Sequence, residues 1–438
     1  MARSYKHAPN SEALMKTVVK ACVYEKADVL ETLLVRGKIT ANMNIPFTII
    51  ENLEKYFQYR RGKKLTRATP LQVSAKLGSP QCMRVLIRHG AELDIDVPYF
   101  SPMTILCRSL PKSPEFMGRF GQCITILVNA GADLHHLCAN AGNFIDEYSI
   151  LHLLVRNGMD PKVVEIVVSH GVRLNFPDFN GCVPLHYAAT LQGRVVAPYV
   201  EALLKLGANP NKQDSNGKSP MLLFAECQDS ELALARMYER SGNPSIADKN
   251  GQNALHLACK QLKLRNISFL VEKIADVNSK DLEHKTAADL LFFNINQWRA
   301  GYNESDLISC VMKLLGHGGI VSIGVVQHQL IQYLRINDQN FHLPYPLAIL
   351  DMVVNIHPFI NLCSVKHKLA HLNHTLPDDV RRFFERLCSW NGPRSLQHLS
   401  RCVIRKCLGR RCGEAVHRLS LPKELHAYLS LCYNPDVN

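Results

Sequence analysis

Three histidines recur at one phase of a repeated motif and are the first candidates for chemistry. They are His152 in Ser149-Ile150-Leu151-His152, His186 in Gly181-Cys182-Val183-Pro184-Leu185-His186, and His256 in Gly251-Gln252-Asn253-Ala254-Leu255-His256. An imidazole can hold a metal or move a proton near neutral pH, but recurrence at a fixed repeat phase points to a structural role. Gly217-Lys218-Ser219 has the ending of a phosphate-binding loop, yet Lys212 stands where that loop needs its first glycine. Cys402, Cys407 and Cys412 are spaced five apart and no Cys-x2-Cys pair occurs in the chain, which disfavours a zinc site. There is no Gly-x-Ser-x-Gly elbow. The residues predict no catalytic centre, no metal and no cofactor.

The elements around those histidines form a repeat. Gly217-Lys218-Ser219-Pro220-Met221-Leu222 aligns with the two hexapeptides above, and weaker copies start at Thr69-Pro70-Leu71, Thr104-Ile105-Leu106, Ser149 and Thr286-Ala287-Ala288. The phase marks fall at 69, 104, 149, 183, 219, 253 and 286. A proline just inside a helix start costs no intrahelical donor, which suits Pro70, Pro184 and Pro220; a hydroxyl before it can cap the helix. Gly90, Gly131, Gly171 and Gly207 stand where second helices must end in the left-handed conformation. Period and motif resemble the ankyrin repeat, over residues 11–320, with about eight copies of which the first and last are degenerate. The resemblance implies an all-α repeat solenoid of stacked hairpins, in which the histidines link neighbouring hairpins and a concave face of hairpin tips and inner helices grips another protein. Two places carry extra residues, Ser109–Met117 and His135–Glu147, and loops added to a rigid scaffold are common sites of specificity.

After residue 320 helical stretches such as Pro346–Ile356 and Asp378–Trp390 form a linker or cap (321–388), following a short N-terminal tail (1–10). Leu396, Leu399, Val403, Ile404, Cys407 and Leu408 then make one apolar helical stripe behind Pro393 and Ser395. This segment resembles the first helix of a SOCS box, here 389–438, a small three-helix module. In that family a leucine, a small residue and an aliphatic residue, here Leu396, Ser400 and Ile404 with Leu399 beside them, insert against Elongin C. Leu419-Ser420-Leu421-Pro422-Lys423-Glu424-Leu425-His426-Ala427-Tyr428-Leu429 resembles the family's cullin-selecting segment. The resemblance assigns Leu419, Leu421, Pro422, Leu425 and Tyr428 to the cullin, with Ser420 in place of the usual proline.

Together the two modules resemble the ankyrin-repeat and SOCS-box proteins. What the resemblance implies is a non-catalytic substrate-recognition subunit of a ubiquitin ligase. Its partners would be Elongin B and Elongin C, cullin five with its RING subunit, and a target protein on the ankyrin face. The rival reading is an ankyrin scaffold that recruits no ligase.

Composition bounds the remaining classes. The net charge of +13 sits at the ends: residues 1–67 hold 13 Lys/Arg against 6 Asp/Glu, and 391–438 hold 8 against 3. A neutral middle is unlike a nucleic-acid reader, which concentrates basic charge on its folded binding face. The run Arg60-Arg61-Gly62-Lys63-Lys64 reads as a solvated loop. No apolar stretch is long enough to span a membrane. An odd number of cysteines, 15, without a secretory leader fits a reducing compartment, the cytoplasm with the nucleus as a second location.

Overall fold

The computed structural model describes residues 11–46, 49, 67–94, 101–111, 114–134, 138–140, 143–191, 196–227, 231–295, 303–333, 347–356 and 378–388. They fall into two compact units, Met1–Ser215 and Asn216–Asn438.

The first unit holds helices α1 (Ser11–Val23), α2 (Ala27–Val35), α3 (Pro70–Leu77), α4 (Pro80–Arg88), α5 (Pro102–Arg108), α6 (Pro114–Asn129), α7 (Ile150–Arg156), α8 (Pro161–Ser169), α9 (Pro184–Ala188) and α10 (Val196–Lys205). The second holds α11 (Pro220–Cys227), α12 (Glu231–Glu239), α13 (Ala254–Lys260), α14 (Leu264–Lys273), α15 (Ala287–Asn294), α16 (Glu304–Gly316), α17 (Ile323–Tyr333), α18 (Leu347–Ile356) and α19 (Asp378–Cys388). Within each unit odd-numbered helices stack on odd, as α1 on α3, α5 on α7 and α13 on α15. Even helices stack on even, as α4 on α6, α6 on α8 and α14 on α16. The layering runs on past residue 320, where α17 packs on α15 and α18 on α16.

Burial follows from that arrangement. An odd helix is covered by two odd neighbours and by its own partner, so Pro70 through Ala75 of α3 and Ala254 through Cys259 of α13 are all buried. No single pair of helices this short closes a core alone; stacking supplies it.

Local chemistry sets the helix starts. Thr69 Oγ1 accepts from Gln72 N–H at 3.3 Å while Gln72 Oε1 accepts from Thr69 N–H at 2.7 Å, a reciprocal cap before Pro70. Ser219 does the same work before Pro220, its Oγ accepting from Leu222 N–H at 3.3 Å. The third copy starts at Ser101 and not at the expected Thr104. Ser101 Oγ accepts from Thr104 N–H at 3.2 Å and Pro102 occupies the first helical turn, so Thr104 lies inside the helix. The Ser-Pro pair satisfies the start better than a threonine without a following proline. At the helix ends Gly90, Gly131, Gly171 and Gly207 all have φ between 79° and 94°, as their positions require.

Two short antiparallel pairs add to the helical layers. Ile45–Pro46 (β1) pairs with Arg67–Ala68 (β2). Cys138–Asn140 (β3) pairs with Asn143–Tyr148 (β4), Cys138 opposite Tyr148. The second pair puts Cys138–Asn140 and 143–147 of the extra residues, expected as a loop, into paired strands. The inserted segment satisfies its own backbone groups by pairing on itself, which a long irregular loop could not do as fully.

Candidate partner-binding surfaces

In the regular copies an aspartate builds each hairpin tip. Asp178 Oδ1 accepts from the N–H groups of Asn180 and Cys182 at 2.9 and 2.8 Å. Asp248 Oδ1 accepts from Asn250 and Gln252, both at 2.9 Å. Asp281 Oδ1 accepts from Glu283 and Lys285 at 3.0 and 2.8 Å. These turns hold one side chain outward at each tip. Phe179 is 43% exposed and Leu282 72% exposed.

The repeated histidines fix the tips to the inner helices. His152 Nδ1 takes the Ser149 N–H at 3.1 Å, and Nε2 meets the Cys182 carbonyl of the next hairpin at 2.9 Å. His256 repeats the pattern with Asn253 N–H at 3.4 Å and the Lys285 carbonyl at 3.3 Å. His186 Nδ1 accepts from Val183 N–H at 2.9 Å. Burial holds the His152 and His256 rings below the usual histidine range, opposed by these backbone bonds. Both nitrogens of His152 and of His256 are engaged by backbone, so these two rings are struts between hairpins.

Each unit therefore presents an apolar face of its own. In the first, Tyr148 lies edge-on to Phe179 at 5.9 Å and to Tyr187 at 6.1 Å. Tyr187 OH donates to Asp178 Oδ2 at 2.5 Å; burial and that bond push its pKa up. In the second, Phe293 of α15 is 54% exposed and stacks on His328 of α17 at 5.9 Å. Lys285 Nζ stands 5.4 Å over the same ring, and Ile323 at the start of α17 is 46% exposed. Sequence reasoning named the histidine and glycine phases and missed these tip and aromatic residues. The thrice-written Asp-x-Asn-Gly (178–181, 214–217, 248–251) was the available signal for Phe179 and its equivalents.

Other groups singled out in the sequence are engaged within the fold. Lys218 Nζ pairs with Glu226 Oε2 at 2.5 Å, and Ser219 is spent as a helix cap, so neither is disposed for a phosphate. Burial pushes the Cys123 thiol up to about 12 and raises that of Cys259 as well, far from a nucleophilic thiolate. Among the described residues no group of His, Cys, Asp or Glu is arranged to hold a metal ion, and no helix is long and apolar enough to cross a membrane. Leu396, Leu399, Ser400, Ile404, Leu419, Leu421, Pro422, Leu425 and Tyr428 lie outside the described residues, as do the Arg60–Lys64 run and Cys402, Cys407 and Cys412.

Comparison with known proteins supplies the family. The family profile for three copies of the ankyrin repeat matches residues 115–214 and 196–281, and the single-repeat profile matches 67–97. The SOCS-box profile matches 392–430, a span that holds the nine partner positions from Leu396 to Tyr428. Ankyrin repeat and SOCS box protein 16 of Homo sapiens is 24% identical over 380 residues, 84% of this chain and 75% of that protein. SH3 and multiple ankyrin repeat domains protein 2, also of Homo sapiens, is 26% identical over 158 residues, 36% of this chain and 8% of that protein. The crystal structure of the human ASB11 ankyrin repeat domain superposes with a TM-score of 0.39 at 20% identity, covering 57% of this chain and 92% of that one. Ankyrin repeats with a SOCS box behind them are the make-up of substrate-recognition adaptors of Elongin B/C–cullin ligases, and this chain belongs to the ankyrin-repeat and SOCS-box family.

Proposed function

We propose that the chain recruits one target protein to a ligase built on Elongin B, Elongin C, cullin five and its RING subunit, and does no chemistry itself. The observation that carries the reading is the SOCS-box match at 392–430 behind the ankyrin copies. The adaptor acts by proximity. Holding the target beside a loaded conjugating enzyme raises the local concentration of its lysines, which turns an encounter between two proteins into a reaction within one assembly. The target is bound on the hairpin-tip face of the first unit, which carries Phe179, in the cytoplasm.

In this assembly Leu396, Leu399, Ser400 and Ile404 dock Elongin C, and Leu419, Leu421, Pro422, Leu425 and Tyr428 face the cullin. Tagged wild-type chain is expected to copurify with Elongin B, Elongin C and cullin five. Leu396→Asp is expected to lose all three, because it places an unpaired charge in an apolar contact. Ser420→Pro restores the family's usual residue and is expected to hold or raise cullin five recovery. If wild-type chain brings down neither Elongin, the ligase reading falls and the ankyrin scaffold stands. Recovery of the Elongins with another cullin would correct the cullin assignment alone.

A further inference from the structure

The extra residues before Met117 lengthen α6, and beside that longer helix a groove of about 1130 Å³ crosses α4, α6, α8 and the start of α10. Ile87, Met117, Ile126, Met159, Val163 and Tyr199 give it a mostly apolar lining. Arg84, Arg88 and Lys162 line it too and are exposed, and among the described residues none of the three is in an ion pair. The acidic group on the lining, Asp160, is already engaged as the cap of α8, its Oδ1 accepting from Lys162 N–H at 2.9 Å.

Two features of this face lack a partner among the described residues. Gly118 sits inside α6, where glycine is disfavoured, and a Cβ built there meets nothing within 4 Å. No neighbour in the fold requires the missing side chain, whereas a ligand lying close on the helix backbone would. Tyr199 is 3% exposed, and its hydroxyl is buried without a hydrogen-bond partner.

We propose that this groove docks an amphipathic helix of another protein, apolar on the side that meets the floor and acidic along its flanks. The volume exceeds what clefts for small molecules usually offer, about 300–1,000 Å³, and a trough of this kind suits the helix-in-groove mode. The cationic lining selects acidic flanks. The same charge disfavours this chain's own segments: residues 47–66 hold five Lys/Arg against two Asp/Glu, and 391–438 hold 8 against 3. The inference does not depend on the ligase reading.

The test is a phage-displayed library of random peptides of about 16 residues, roughly 24 Å as a helix, panned on the full chain. Enriched peptides are expected to carry apolar residues at i, i+3 or i+4, and i+7, with an excess of Asp and Glu. Measured by fluorescence polarisation, their affinity should fall at least about tenfold for Gly118→Leu and for Arg88→Glu, and should rise as salt is lowered. Melting curves confirm that both variants are folded; Arg88 is exposed, so its variant keeps the test open should Gly118→Leu fail to fold. Peptides that bind both variants as tightly as wild type, that lack the acidic excess, or that are never enriched overturn the proposal. Elongin recovery by Arg88→Glu is expected to match wild type, so a failure here is distinct from a failure of the ligase reading.

Discussion

The hairpin of α13 and α14 and the hairpin of α5 and α6 solve the same packing problem by different means. In the first, bonds within the repeat and to its immediate neighbours fix the chain: Asp248 closes its tip, Asn253 caps α13, His256 reaches the Lys285 carbonyl of the next tip, and Asn266 of α14 donates to the Phe224 carbonyl of the preceding copy at 3.4 Å. Its second helix, α14, has 10 residues. In the other, α6 has 16 residues and is held by partners far along the chain. Arg119 pairs with Glu25 at 2.7 Å, and the Phe120 ring occupies the space beside Gly78 so fully that a Cβ there would lie 2.3 Å from it. Local bonding leaves a repeat replaceable by its neighbours. Long-range anchoring releases the helix from the repeat's length, and the released length lines a groove.

The sharpest way to break this contrast is Phe120→Ala. Phe120 is 7% exposed, so truncation removes its burial and opens a void beside Gly78, a loss of about 3–5 kcal/mol. Urea denaturation followed by circular dichroism reads the change. A cost under about 1 kcal/mol would mean that α6 is held by something other than this anchor. A smaller effect separates the regular copies by pH. Burial lowers the folded-state pKa of His152 and His256 below 6.5, so the unfolded chain binds protons first as pH falls. Their contribution is whole above pH 6.5 and declines below it, by at most about 1.4 kcal/mol per pH unit for each ring. The urea midpoint is expected to drop between pH 7.5 and 5.5, and to drop less in His256→Gln. An equal drop in both chains would show that the ring is not held neutral.

What could be read beforehand follows the same division. Thr69, Pro70, Pro184, Ser219 and the helix-ending glycines act through bonds within four residues or through their own φ, so residue type and spacing suffice. Thr104-Ile105-Leu106 resembles Thr69-Pro70-Leu71 in type, which puts the third start at Thr104. The cap chemistry of Ser101-Pro102 overrides that likeness. The strands Cys138–Asn140 and Asn143–Tyr148 pair within one insertion that the repeat motif does not describe, and the groove rests on contacts between copies, which no single motif states. Phe179 and Leu282 look like ordinary apolar residues in sequence; the aspartate turns beside them are what hold them outward.

Two glycines one turn apart on α6 give the smallest and finest test of that division. Glycine inside a helix is less favourable than alanine by about 1 kcal/mol, so a position with free space gains on substitution. At Gly118 the added methyl meets nothing within 4 Å, and Gly118→Ala should stabilise the chain by about 0.5–1 kcal/mol. At Gly121 it lies 3.2 Å from Val163 Cγ2 and 3.4 Å from the Met159 sulfur, and the crowding offsets the helical gain. Paired urea titrations should show a raised midpoint for Gly118→Ala and none for Gly121→Ala. If both rise alike, α6 and α8 are not as closely packed at Val163 as described. If Gly118→Ala destabilises, some neighbour in the fold needs that glycine, and the case for a visiting backbone at Gly118 loses its ground.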